Sequence, residues 1–115
     1  MTAPLIAFPL SEEQRRIQEL VSGLADSIFR ERAARWDERE EYPWDNIKEL
    51  VAHGLMGMTF PVEYGGRGAG VLEAVLAIEA AARVCGVTGR ILVDSSFGAV
   101  GAIAHYGTDA QKRAF

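Results

Sequence analysis

The sequence contains a single cysteine, Cys85, in 115 residues. One cysteine cannot form an internal disulfide, which excludes a disulfide-stabilised secreted domain and favours a reducing compartment such as the cytoplasm. An excess of basic residues is also missing, because 12 Lys and Arg stand against 16 Asp and Glu, for a net charge of −4. Nucleic-acid-binding domains usually carry a basic patch or a high pI, so we expect no nucleic-acid partner.

Long apolar stretches are absent as well. Charged residues or glycine interrupt each of them before the roughly 20 residues that a membrane span requires. The N-terminal MTAPLIAFPL lacks the basic start and the apolar centre of a secretion signal. We therefore predict a cytoplasmic protein with no membrane span and no signal peptide, and its length suits one domain with a modest core.

Strand patterns are nearly missing, since apolar and polar residues alternate at most over the short Met56–Phe60. Helical periodicity is clear instead from Ser11 to Arg30, where Ser11 and Gln14 also form a capping box. This helix can continue through the charged RERAARWDEREE, which we interpret as a solvated face, until Pro43 stops it. Its apolar stripe consists of Ile17, Leu20, Val21, Leu24 and Ile28.

Four further helices follow in the sequence. One begins at Pro43 and ends at Gly54 in a Schellman motif, and another, Val71–Val84, is apolar nearly all round and should be buried. Thr88 is expected to cap a helix that reaches about His105, and Thr108 to cap a last helix that the end of the sequence truncates. The predicted fold class is all-α: a helical bundle-like domain of about five helices joined by a Gly-rich loop.

That loop is PVEYGGRGAG, with four glycines between Pro61 and Gly70. Loops of this kind often bind phosphates, and the helix that follows would add its N-terminus. The spacing nevertheless fails both nucleotide-binding motifs. Val71 stands where the third glycine of G-x-G-x-x-G would be, and Val71-Leu72 replace the Lys-Ser/Thr of a P-loop. We interpret the loop as a tight connection between packed helices that only glycine permits.

Five ordered segments resemble the N-terminal α-helical domain of the acyl-CoA dehydrogenase family. Their order and spacing over nearly the whole chain are specific, although each is weak by itself. They are LSEEQRRIQELV (10–21), WDEREEYPWDNIKELVAHGLMGM (36–58), PVEYGG (61–66), AIEAAARVCGVTG (77–89) and HYGTDAQKRAF (105–115).

The resemblance implies that residues 1–115 are the N-terminal helical domain of a flavoprotein whose β domain and C-terminal bundle are absent from this sequence. In the family, FAD binds mainly to those other parts. A glutamate of the bundle takes the α-proton of an acyl-CoA thioester while hydride passes from the β-carbon to the flavin. We therefore assign no catalytic residue, no cofactor-binding residue and no metal ligand to this chain. We expect it to bind no FAD and to be inactive alone, and to form a homo-oligomer.

Two alternatives to a dehydrogenase stay open. The missing domains could make the complete protein an acyl-CoA oxidase or a flavin monooxygenase of the same fold. The chain could also be a non-catalytic helical subunit or interaction module that completes a partner chain.

The helix from Thr88 is where an acyl-CoA would contact this chain, because the corresponding helix of the family helps to wall the acyl pocket. The resemblance makes five residues pocket candidates: Arg90, Ile91, Asp94, Ser95 and Gly98. Many relatives have apolar or neutral residues near these positions, and a buried Arg–Asp pair would need mutual compensation. We hypothesise a pocket that is short or that accepts a polar or bulky acyl group; the alternative is an ordinary surface ion pair.

Overall fold

The computed structural model describes residues 8–115, so most of the segment tested for a secretion signal lies outside the described residues. All regular elements of residues 8–115 are helical. The α-helices are α1 (Glu12–Leu24), α2 (Arg30–Arg39), α3 (Trp44–Ala52), α4 (Val71–Ala82), α5 (Gly86–Ser96), α6 (Ala99–Tyr106) and α7 (Asp109–Ala114), and a short 3-10 helix spans Val62–Tyr64. The all-α prediction is confirmed, whereas the possible strand at Met56–Phe60 is wrong, because this segment forms turns.

Helices α1 and α2 form one continuous rod, because a π-helical turn, Ala25–Phe29, joins them without a break. The predicted capping box is confirmed at the start of α1, where the Gln14 amide donates to Ser11 Oγ at 3.1 Å. The predicted apolar stripe is buried at Ile17, Val21 and Leu24, whereas in the π turn Phe29 is fully buried and the predicted Ile28 is only partly buried. The wider turn shifts the helical register by one residue, which the regular 3.6 period could not predict.

Helix α3 ends in the predicted Schellman motif. The Leu55 amide donates to the Leu50 carbonyl at 2.9 Å, and the Gly54 amide donates to the Val51 carbonyl at 3.1 Å. Gly54 has φ +66°, a conformation that favours glycine. At the other end Pro43 is the N-cap residue and not the first helical residue that we predicted, so the helix begins one position later, at Trp44.

The core forms where α4 packs between α1 and α5. Small side chains of α4, namely Ala74, Ala77 and Ala81, are fully buried and let the neighbouring helices approach closely. The prediction that α4 is enclosed all round is wrong for its first turns, because Val71, Leu72 and Val75 are 65%, 48% and 45% exposed. The larger buried side chains that surround the alanines are Ile17, Val21, Phe29, Leu50, Leu55, Met58 and Leu92.

The rod and α4 are also joined at the surface by an ion pair. Arg83 lies 3.1 Å from the Asp26 carboxylate and does not pair with Glu79, the acidic residue four positions before it. Arg30 donates to the same carboxylate at 2.8 Å. The hydrogen bond from Arg30, supported by Arg83, holds the pKa of Asp26 below its ordinary value. This contact connects the π turn to the C-terminal end of α4. It lies away from the helix that carries the pocket candidates.

Candidate functional site

The helix with the pocket candidates differs from its predicted form at both ends. Cys85 is the N-cap residue of α5, and Thr88 lies inside the first turn with its side chain fully buried, so Thr88 is not the cap. The predicted continuous helix is also wrong, because it is interrupted at Phe97 and Gly98 before α6 begins at Ala99. Gly98 has ψ −117°, outside the helical range, and this ends the α5 hydrogen-bond ladder.

A buried chain of hydrogen bonds fixes α5 to the rest of the domain. Asn46 Nδ2 donates to Thr88 Oγ1 at 2.9 Å, and the Thr88 hydroxyl donates to Cys85 Sγ at 3.0 Å. Arg32 donates to Asn46 Oδ1 at 3.3 Å, which connects α2 to the same chain. Asn46 and Thr88 are completely buried, and buried polar groups need such partners. The register of α5, and with it the position of the candidates, therefore depends on Asn46.

We expect Asn46→Ala and Thr88→Val to be coupled by about 1 kcal/mol in a double-mutant cycle, since each removes one partner of the same buried hydrogen bond. The free energy of unfolding in urea measures the coupling. Asn46→Ala combined with Ser95→Ala is the control, and these two should be additive because the residues share no hydrogen bond. Additivity of the Asn46 and Thr88 changes would contradict this role for the hydrogen bond.

The structure brings two of the five candidates together. Arg90 Nε donates to Asp94 Oδ2 at 3.1 Å, and their side chains are 72% and 55% exposed on one face of α5. Among the described residues, Asp94 is the only hydrogen-bond partner of the Arg90 side chain, and this bond uses Nε alone. The terminal amino groups of Arg90 are therefore available to an anion, which a planar guanidinium can bind through two hydrogen bonds.

The other three candidates lie apart from this pair. Ile91 belongs to the hydrophobic core with 7% exposure. Ser95 is half-buried and donates to the Leu92 carbonyl at 3.2 Å, within its own helix. Gly98 lies exposed at the break between α5 and α6. Their place in an acyl pocket stays a prediction.

A groove beside this break contains residues that the sequence interpretation missed. It has a volume of about 560 Å³ and is lined by Thr59, Pro61, Val71, Ser96, Phe97 and His105, among others. The Thr59 hydroxyl donates to the Ser96 carbonyl, while Ser96 Oγ is buried and has no partner among the described residues. The only sequence signal for the groove was the pair of adjacent serines, Ser95 and Ser96, near the end of an apolar helix. The groove is largely apolar, with polar groups at a few positions.

The glycine loop is a connection, as predicted, and its backbone shows why it cannot hold a phosphate. Each amide from Gly65 to Ala69 donates to a carbonyl of the segment Gly57–Val62, at distances between 2.8 and 3.3 Å. A phosphate-binding loop must keep such amides free. The Glu73 carboxylate also lies close to Gly70, the N-cap residue of α4, where it would repel an anion.

Two further properties of the described residues concern metal ions and membranes. No three His, Cys, Asp or Glu side chains within residues 8–115 are placed to hold a metal ion. One stretch, Gly86–Tyr106, is long and apolar enough to cross a membrane by length and composition alone. Core helices of globular proteins can have the same length and composition, a third of this stretch is buried in the domain, and the break at Gly98 interrupts it. It is weak evidence for a membrane span.

Comparisons with known proteins agree with the fold. A family model described as "Acyl-CoA dehydrogenase, N-terminal domain" matches residues 11–115. The 3-sulfinopropanoyl-CoA desulfinase of Paraburkholderia xenovorans is 46% identical over 106 residues, which are 92% of this chain and 27% of that protein. The short-chain specific acyl-CoA dehydrogenase of Clostridium acetobutylicum is 36% identical over 108 residues, which are 94% and 28% of the two proteins.

Among solved structures, a chain reported with the electron transferring flavoprotein of Acidaminococcus fermentans, in work on flavin-based electron bifurcation, has a similar fold. Its TM-score is 0.87 at 28% identity, and the match covers 96% of this chain and 29% of that one. The present chain spans about a quarter of the length of the curated relatives that it matches.

Proposed function

We propose, from the premise that this chain belongs to the acyl-CoA dehydrogenase family, that it is the N-terminal domain of a flavin-dependent enzyme acting on acyl-CoA thioesters. In this role it supplies the helical scaffold and part of the wall of the acyl pocket. The observation that carries the proposal is the family match over residues 11–115, together with the solved fold that superposes on 96% of the chain. The dehydrogenation itself belongs to residues outside this domain.

The glycine loop does not fit a flavin phosphate. The amides of the glycine loop are occupied by backbone carbonyls, and Glu73 stands at the helix start that follows. On this proposal other domains of the complete enzyme hold FAD, and we place neither a cofactor ligand nor the catalytic base on this chain.

Flavin absorbance tests this proposal. The purified 115-residue chain should show none after incubation with FAD, whereas the complete polypeptide should bind FAD and convert an acyl-CoA to its 2,3-enoyl thioester. Tight FAD binding by the 115-residue chain would contradict the proposal. Flavin and activity that require a second, separately encoded polypeptide would instead support the alternative of a complementary subunit.

A second candidate reaction is the removal of a sulfinate group from a short acyl-CoA. Four relatives with 42–46% identity are named 3-sulfinopropanoyl-CoA desulfinase, against 36% for the short-chain dehydrogenase. This substrate class agrees with a pocket that accepts a short, polar acyl group. On this hypothesis Arg90 binds the anionic end of the acyl group with its terminal amino groups, while Asp94 holds the guanidinium through Nε.

In the complete enzyme, we expect Arg90→Gln to raise the KM for 3-sulfinopropanoyl-CoA at least about tenfold, because a hydrogen bond between two charged groups is lost. Arg90→Lys should recover part of this loss, since it keeps the charge but not the two-pronged geometry. The KM for neutral butanoyl-CoA is the control and should change less than about twofold. Equal changes for both substrates would contradict the role of Arg90.

An Asp94→Ala variant with an unchanged preference for acyl length and polarity would exclude Asp94 from the pocket.

The chain is further proposed to self-associate in the cytoplasm. Val71, Leu72 and Val75 form an exposed apolar strip on α4, and exposed apolar surface promotes association. We expect dimers or higher oligomers in sedimentation experiments, and fewer of them for a Leu72→Lys/Val75→Lys variant. A wild-type chain that is monomeric at high concentration would contradict this prediction.

A further inference from the structure

A cavity of about 570 Å³ lies between the C-terminal end of α2 and the start of α5, and we call it the α2–α5 cavity. It is separate from the groove at the break between α5 and α6, with which it shares no lining residue. Its walls include small apolar side chains of both helices, and its polar groups fall into two sets. One set is acidic, and the other consists of hydrogen-bond donors.

The acidic set is Asp37, Glu40 and Glu41 at the end of α2. No Lys or Arg lines the cavity, and none of the three carboxylates forms a hydrogen bond or ion pair with a residue in 8–115. Two basic residues lie close to these carboxylates in sequence, Arg35 and Arg39, and neither forms an ion pair with them among residues 8–115. Arg35 stacks on the Trp36 ring at 4.3 Å and lies 3.7 Å from Asp45. The three negative charges of the cavity are therefore left without a basic partner in this part of the chain.

The donor set is Trp36 and the start of α5. Trp36 lines the cavity with only 6% exposure, and its buried Nε1–H has no acceptor among the described residues. The amides of Gly86 and Val87 belong to the first turn of α5, where helix geometry provides no acceptor. The N-cap residue, Cys85, provides no side-chain acceptor either. Gly86 and Val87 are exposed, so water can reach the start of α5, whereas the Trp36 donor is buried. A buried donor without an acceptor is costly, so Trp36 Nε1–H points to a missing acceptor such as a carbonyl oxygen.

The combination of unpaired carboxylates and unpaired donors in the α2–α5 cavity excludes several ligands. A free anion would satisfy the donors, but three carboxylates would repel it. A metal ion is excluded by the lack of any suitable group of three ligands within residues 8–115. An arginine or lysine side chain suits both parts of the cavity, because its aliphatic stem can lie on the apolar walls while its charge meets the carboxylates.

We propose that the α2–α5 cavity is the docking site for a basic segment of a partner protein. This segment inserts one arginine or lysine side chain beside Glu40 and Glu41 and turns a backbone carbonyl towards Trp36 and the start of α5. Charge complementarity commits the site to a basic polypeptide. The proposal does not depend on the flavoenzyme assignment, because it uses only groups of residues 33–41 and 84–87.

NMR titration of the 115-residue chain with acetyl-Ala-Arg-Ala-amide tests the proposal. The Nε1–H resonance of Trp36 and the amide resonances of Gly86 and Val87 should shift together, with one dissociation constant. Acetyl-Ala-Gln-Ala-amide has the same backbone without the charge and should bind at least about tenfold more weakly, because the carboxylates select the cation. Equal binding of both peptides would overturn the proposal, and so would unmoved resonances or equivalent shifts caused by inorganic phosphate.

A matched pair of double variants tests whether binding of the arginine peptide depends on the carboxylates of the cavity or on the overall charge of the chain. Glu40→Gln/Glu41→Gln removes two charges from the cavity and should weaken binding of the arginine peptide about tenfold. Glu31→Gln/Glu38→Gln removes two charges from α2 residues that do not line the cavity and should leave binding within about twofold. All four side chains are exposed, so both variants should keep the fold. Equal losses in the two variants would reduce the effect to the overall charge and overturn the proposal.

Discussion

Replacing Gly66 with alanine is expected to lower the free energy of unfolding by about 3 kcal/mol, at the upper end of the cost of overpacking. A Cβ atom at this position would lie 2.0 Å from the Phe60 carbonyl oxygen and 2.5 Å from its carbon. Neither atom can rotate away, because both belong to the backbone. The chain would have to move apart here, which would break nearby hydrogen bonds such as those from Gly68 to Phe60 and from Ala69 to Met58.

The free energy of unfolding in urea, monitored by the far-UV circular dichroism signal of the helices, measures this effect. Gly23→Ala is the matched control. Gly23 lies in α1 with no atom within 4 Å of the added Cβ. The control should stabilise the domain by up to about 1 kcal/mol, because alanine is the better helix former. If Gly66→Ala were as stable as the wild type, the backbones at Gly66 and Phe60 could not approach each other as closely as the structure places them.

Replacing Gly89 with alanine is expected to lower the free energy of unfolding by about 2 kcal/mol, as the net of overpacking and a gain in helix propensity. The added Cβ would lie 2.5 Å from Ala82 Cβ and 2.9 Å from Ala82 Cα. Gly89 is buried where α5 packs against α4, so the helices would have to separate. This movement would also strain the Asn46–Thr88 hydrogen bond, which lies one residue away on α5.

Gly86→Ala is the control on the same helix. Gly86 is exposed and has no atom within 4 Å of an added Cβ, so this variant should be neutral or slightly stabilising. Thermal unfolding of both variants gives the comparison. Equal melting temperatures for Gly89→Ala and Gly86→Ala would show that α4 and α5 do not approach as closely as the structure places them.

The sequence predicted the features that depend on neighbouring residues. The capping boxes at Ser11 and Thr108 and the Schellman motif at Gly54 all involve residues within five positions of each other, and all are confirmed. The glycine loop was correctly interpreted as a connection, because the spacing of its glycines already failed the nucleotide motifs. The segments that resemble the acyl-CoA dehydrogenase family carried the family assignment, which the match over residues 11–115 confirms.

The errors concern features that distant contacts decide. Thr88 looked like a helix cap, but Asn46, 42 residues away, holds it inside the domain. Arg83 had a suitable partner four residues away in Glu79, yet it pairs with Asp26, 57 residues away. The break at Gly98 could not be predicted either, because glycine lowers helix propensity without specifying the angle at which the chain turns.

By itself, the sequence determined an all-helical domain of a recognisable family, together with the start or end of several helices. These properties follow from propensity, capping and apolar periodicity, whose range is about one helical turn. Only the tertiary structure decided the shift in register at the π turn, the separation of Ile91 from the Arg90–Asp94 pair, and the unpaired donors and carboxylates of the α2–α5 cavity. These depend on which helices pack together, since packing selects the buried face of each helix and leaves particular polar groups without partners.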